Sequence, residues 1–134
     1  MTSIALAPEV RDFFDRYRDA FDRLDGAAIA RLYATPSGIF SSGRYVHWPD
    51  FASVRANMVA LCEQYRKSGY VGSSYEPASV ISQGRDAVIV DVIWRIEHRG
   101  DLLPFHTTYN LVRTSEGWRV LLCTAYEELA PVRT

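Results

Sequence analysis

Between Pro8 and Leu24 the apolar residues Val10, Phe13, Phe14, Tyr17, Phe21 and Leu24 return every third or fourth position, with acids and arginines filling the gaps. This spacing predicts an amphipathic helix whose apolar stripe faces a core, with Pro8 in the first turn, where its missing N–H is not needed. The interleaved charges Arg11, Asp15, Arg18, Asp19, Asp22 and Arg23 read as a solvated face of weak pairs rather than a binding surface. Asp25 is placed to cap a short second helix, Gly26–Tyr33, that buries Ile29, Leu32 and Tyr33. Pro36, Gly38 and Gly43 interrupt the next stretch, so Thr35–Trp48 reads as a short extended piece with turns. Asp50 then caps a third helix with the stripe Phe51, Val54, Met58, Leu61, Cys62 and Tyr65, and Gly69 closes it.

After Gly72 the period changes from helical to alternating. Tyr75–Ser82 contains Pro77 and suits an edge strand, because proline cannot donate to a ladder. Ala87–His98, Leu103–Arg113 and Trp118–Glu127 follow as a meander, with turns at Gln83–Asp86, Arg99–Asp101 and Thr114–Gly117. Helices followed by strands predict an α+β domain with a mostly antiparallel sheet, as one domain over residues 1–134.

Alternation divides each strand into two sets. Val88, Val90, Val92, Trp94 and Ile96 form the core set of the longest apolar strand. A two-residue turn around Arg99-Gly100 or Gly100-Asp101 places Phe105, Thr107, Tyr109 and Leu111 on that same face. Unbroken alternation through the last turn adds Val120, Leu122, Thr124 and Tyr126 to the core. The opposite face then carries Ile89, Asp91, Ile93, Arg95, His106, Thr108, Asn110, Val112, Leu121 and Cys123. A bulge in any strand would exchange its two sets. So many apolar residues on an outer face predict a subunit interface, here a homodimer.

Charge narrows the function classes. Fifteen Lys and Arg against sixteen Asp and Glu leave a net charge of -1 in 134 residues, and no basic run marks a nucleic-acid partner. No apolar run approaches membrane-spanning length, and the start MTSIALAPEVRDFF has no signal-peptide pattern, so a cytoplasmic location is expected. Cys62 and Cys123 stand outside any C-x-x-C or His-rich context, and His47, His98 and His106 are widely spaced. No metal or cofactor motif is present.

The element order, the segment FFDRYRDAFDRLDGAAIARLY and the ending TSEGWRVLLCTAYEE resemble the nuclear transport factor 2 superfamily, over roughly Glu9 to Glu128. That superfamily includes SnoaL-like polyketide cyclases, ketosteroid isomerases and scytalone dehydratase. The resemblance implies a cystatin-like α+β barrel, in which helices close a curved sheet into a cone around a ligand pocket and the outer sheet face often dimerises. It places Tyr17 where the isomerases keep an oxyanion-stabilising tyrosine, and Tyr109 near their second oxyanion donor. Ser41 falls where they keep the aspartate that shuttles the proton, and serine cannot do that work.

Two readings of the pocket follow. In the first it binds a small apolar or aromatic molecule, with Tyr17, Ser41, Thr107 and Tyr109 offering hydrogen bonds and Phe14, Trp94 and Phe105 offering surface. In the second it is a cofactor-free isomerase, dehydratase or cyclase using His47 or Asp91. His47 lies between the interrupted strand and the third helix, near the expected cone mouth, although it also suits a surface position beside Trp48. Asp91, Arg95 and His106 would form an acid–base cluster in the pocket only if the register slipped; otherwise they make cross-strand and interface contacts. Tyr17, Trp94, Tyr109 and Tyr126 also suit an aromatic core that fills the cone itself.

Overall fold

The structure is a computed structural model that describes residues 4–126. Three helices, α1 (Pro8–Asp22), α2 (Gly26–Ala30) and α3 (Phe51–Lys67), pack against one face of a curved, unclosed sheet. Its strands are β1 (Tyr33–Ser41), β2 (Arg44–Trp48), β3 (Tyr70–Ser82), β4 (Ala87–His98), β5 (Asp101–Thr114) and β6 (Gly117–Tyr126), in the order β2-β1-β6-β5-β4-β3. Only β1 and β6 run parallel; the other neighbours are antiparallel. The α+β class is as expected. Glu127, expected to end the last strand, lies outside the described residues.

The first helix buries Val10, Phe13, Phe14 and Tyr17, the stripe its period predicts. The second is shorter than expected. It stops at Ala30 because the Leu32 carbonyl accepts a hydrogen bond from the Val120 amide at 2.9 Å and Tyr33 pairs with Val120, so the chain is already in the sheet where local propensity would continue the helix. Asp25 caps it, accepting from the Ala28 amide at 3.0 Å. The third helix begins with a capping box, in which Asp50 accepts from the Ser53 amide at 2.9 Å and the Ser53 hydroxyl faces the Asp50 amide.

Thr35–Trp48 forms a true hairpin, β1–β2, rather than one interrupted strand. The strand expected to begin at Tyr75 begins at Tyr70, directly after Gly69, and Asp22 holds its start. That carboxylate accepts from the Tyr70 hydroxyl at 2.6 Å and from the Ser73 amide at 3.0 Å. Pro77 lies on this edge strand as expected.

The β4–β5 hairpin turns at Arg99-Gly100, both with positive φ, and pairs His98 with Asp101. Val90 therefore opposes Tyr109 and Trp94 opposes Phe105, so the expected inner set of these two strands holds. The β5–β6 pair departs from it. Leu111 pairs with Val120, but Asn110 pairs with Leu122, so Leu121 is an extra, bulged residue. From that point the last strand is inverted relative to simple alternation. Cys123 is buried at 2 % exposure inside the fold, whereas Leu122, Thr124 and Tyr126 turn to the outer face. No described helix is long and apolar enough to cross a membrane.

Candidate functional site

The bulge at Leu121 decides whether the fold has an interior space. Unbroken alternation would send Leu122, Thr124 and Tyr126 inward. The inverted phase instead presents Cys123 and Ala125, both small, opposite Tyr109 and Thr107. The volume those larger side chains would have filled is a cavity of about 240 Å³ between the sheet and the helices.

The inner end of this cavity is aromatic and hydrogen-bonded. Tyr17 from α1 and Tyr33 from β1 bring their hydroxyls to 2.7 Å, and the Tyr33 hydroxyl lies 3.7 Å from the Cys123 Sγ. Trp94 donates from Nε1 to the Tyr109 hydroxyl at 2.9 Å. The Tyr17 ring packs on Tyr109 at 5.5 Å and on Trp94 at 5.8 Å, within the range of favourable aromatic contacts. Met58 and Leu61 of α3 supply apolar wall on the helix side, with Asn57 beside them. At the outer end Ser41, Tyr65, Ile96, Phe105 and Ala125 also line an open groove of about 800 Å³, so groove and cavity share a mouth.

Burial keeps these polar groups neutral. It raises the pKa of Tyr17 and Tyr33 well above the ordinary 10.0, and neighbouring tyrosine and cysteine groups push the same way. Burial also raises Tyr109, against the lowering effect of its hydrogen bonds, and takes the Cys123 thiol up to about 11. At neutral pH the inner end is a set of hydroxyls and a thiol that carry their protons. No carboxylate, imidazole, ammonium or guanidinium is among the described side chains lining the cavity.

The five side chains expected to offer ligand contacts, Tyr17, Ser41, Trp94, Thr107 and Tyr109, all line this space, as does Phe105. Phe14 does not. It is fully buried behind the wall, 5.2 Å from the Tyr109 ring. The two expected acid–base candidates lie elsewhere. His47 is exposed on the edge strand β2, its Nδ1 3.0 Å from the Tyr45 hydroxyl, because the hairpin carries it to the sheet margin rather than the cone mouth. Asp91 is on the outer face. It accepts from the Thr108 hydroxyl at 3.1 Å and from the Tyr126 hydroxyl at 3.0 Å, and His106 Nδ1 stands 3.4 Å away. Arg95 pairs with Glu76 at 3.3 Å across β3 rather than with Asp91.

Sequence reasoning missed Tyr33 and Cys123 at the inner end and His98 at the groove. Tyr33 looked like helix, and only its long-range pairing with Val120 shows otherwise. Cys123 follows Leu121 and Leu122 in an apolar run that gives alternation no phase.

A family model described as NTF2-like protein (DUF6841) matches residues 8–128. No curated protein matches the chain. Among solved structures, an NTF2-like protein of unknown function from Shewanella oneidensis superposes with a TM-score of 0.72 at 14% identity, covering 87% of this chain and 95% of that one. A putative calcium/calmodulin-dependent protein kinase type II association domain from Thiobacillus denitrificans gives 0.75 at 17% identity, covering 94% and 100%. A ketosteroid isomerase-like protein from Erwinia carotovora atroseptica gives 0.63 at 16% identity, covering 92% and 95%. At such identities these likenesses speak to the fold alone.

Proposed function

We propose that this chain, which belongs to the NTF2-like family, is a domain that binds a small, neutral, apolar or aromatic molecule in its interior cavity. The observation that carries this reading is a cavity whose polar groups are all neutral hydrogen-bonding partners set in aromatic and aliphatic wall. General acid–base catalysis requires a group that exchanges its proton near the working pH. The tyrosines and the thiol inside are shifted away from that range. His47 and Asp91 point to other surfaces, so neither gives the isomerase, dehydratase or cyclase reading a base among the described residues lining the cavity.

Size limits the ligand. A dry cavity of about 150 Å³ accepts benzene, and typical drug-sized sites begin near 300 Å³. A space of about 240 Å³ therefore suits a one-ring or compact two-ring compound rather than a steroid. Toluene, indole and propylbenzene are expected to raise the thermal midpoint of the wild-type protein, since a ligand at 100 times its Kd stabilises by about 2.7 kcal/mol. Ala125→Phe, which fills the shared mouth, is expected to fold and lose at least about tenfold in affinity. A wild type that responds to none of the three compounds would remove the binding reading.

The outer sheet face supports a homodimer as a second element of the proposal. Ile89, Ile93, Val112 and Leu122 lie half-buried there, beside Leu121 at 44 % exposure. Cys123, expected on this face, is inside and contributes nothing to it. Leu121→Arg is expected to weaken self-association about tenfold or more in sedimentation equilibrium, because it sets a charge in an apolar contact. A wild type that sediments as a monomer at micromolar concentration would exclude the dimer.

A further inference from the structure

The groove that opens onto the cavity carries one feature that the cavity lacks. Its wall includes Phe40, Leu103, Pro104 and Phe105, and its described lining contains no carboxylate, ammonium or guanidinium. It does contain His98. Across cavity and groove together, His98 is the one imidazole among the described lining residues. Its ring packs 5.6 Å from Tyr65, which lines both spaces, and 5.9 Å from Tyr70.

One tautomer satisfies both hydrogen-bond contacts of the serine beside it. Ser68 Oγ donates to the Tyr65 carbonyl at 3.0 Å. A serine hydroxyl has a single proton, so both contacts are satisfied together when that proton goes to the carbonyl and His98 Nδ1–H donates to the oxygen at 2.9 Å. The other nitrogen of the neutral ring, Nε2, therefore carries the lone pair, and it has no hydrogen-bond partner among the described residues. On this tautomer a residue lining an otherwise uncharged groove offers an acceptor, which matches a ligand group with a proton to give.

We infer that His98 is a specificity-determining residue of this site, and that the ligand is a neutral aromatic alcohol whose ring enters the cavity while its hydroxyl, on a short chain, donates to His98 Nε2. Ser68 is the positioning residue that holds the tautomer. The inference rests on the binding reading above and names the ligand class for it. An uncharged hydroxyl suits the groove better than a carboxylate, which would require His98 to be protonated and would meet no other cation in the lining.

The test compares phenylpropanol, propylbenzene and phenylpropanoate by calorimetry against wild type, His98→Phe and Ser68→Ala. His98→Phe keeps a ring between Tyr65 and Tyr70 but removes the lone pair. The ratio of phenylpropanol to propylbenzene affinity is expected to fall about fivefold in His98→Phe, the loss of one hydrogen bond. Ser68→Ala, which leaves the imidazole in place but frees its tautomer, is expected to lower the same ratio by less, with propylbenzene binding unchanged. A ratio unaltered in both variants overturns the role of His98 while propylbenzene binding leaves the cavity reading standing. Tighter binding of phenylpropanoate than of phenylpropanol to wild type overturns the hydroxyl assignment. Failure of all three compounds to bind wild type removes the cavity reading and this inference with it.

Discussion

Replacing Phe14 with alanine is expected to lower the free energy of unfolding by about 3–5 kcal/mol, the range for truncating a fully enclosed aromatic side chain. Phe14 has no exposed surface, and its ring meets Phe13 at 5.3 Å, Tyr109 at 5.2 Å and Tyr75 at 5.9 Å. The first of these is its own helix neighbour. The other two belong to the sheet, so the ring joins α1 to β5 and β3. Its removal leaves a void that cannot close without moving the helix, because rings crowd the same layer on both sides. The loss has two parts, the transfer of the ring and the cavity left behind. Urea unfolding followed by tryptophan fluorescence measures it, with an unchanged slope showing that the unfolded state is not altered. A loss under about 1 kcal/mol would show that the layer relaxes freely and is not close-packed.

The same substitution bears on the cavity. Phe14 stands directly behind Tyr109, whose hydroxyl accepts a hydrogen bond from Trp94 Nε1 at the inner end. A loosened Tyr109 disturbs the wall that a ligand would touch. On the proposed binding reading, stability and binding would be coupled here through one ring contact rather than through a shared polar group.

How far the fold could be read in advance depended on where its determinants lie. The β4–β5 hairpin was legible because five inward residues alternate strictly, from Val88 to Ile96, and Arg-Gly marks a tight turn. The first and third helices were legible for the same reason, one continuous period each. The end of α2 was not, because the residue that stops the helix is Val120, ninety positions from Ala30. The phase of β6 was not, because Leu121-Leu122-Cys123 is apolar throughout and fits either face. A single bulged residue there changes which side chains fill the interior, and so makes the difference between a packed cone and a hollow one. Tyr17, Ser41 and Tyr109 were located by resemblance, and all three line the cavity. The sequence left His47 open between the cone mouth and a surface position beside Trp48, because the place of β2 at the sheet margin follows from pairing with β1, not from any local pattern.

The second large effect is expected at Gly26, where two physical rules predict opposite signs. Gly26 opens α2 with an ordinary negative φ, and in an unobstructed helix a change from glycine to alanine stabilises by about 0.5–1 kcal/mol. The surroundings reverse this. A Cβ at Gly26 would lie 2.6 Å from the Val59 backbone nitrogen, 2.7 Å from its Cα and 2.9 Å from the Met58 carbonyl carbon. These are backbone atoms in the middle of α3, which cannot swing aside as a side-chain tip would. Gly26→Ala must push α2 and α3 apart and is expected to destabilise by roughly 1–3 kcal/mol or more, since overpacking outweighs propensity. Gly72, in β3, is the matched control. It too lacks a positive φ, and nothing lies within 4 Å of its would-be Cβ, so Gly72→Ala is expected to unfold close to wild type. Met58 also lines the cavity, so the displaced helix is expected to weaken propylbenzene binding in Gly26→Ala but not in Gly72→Ala. Thermal and urea unfolding of the two variants decide the matter. A Gly26→Ala protein as stable as wild type would mean that the α2–α3 contact is not held at the distance on which this argument depends.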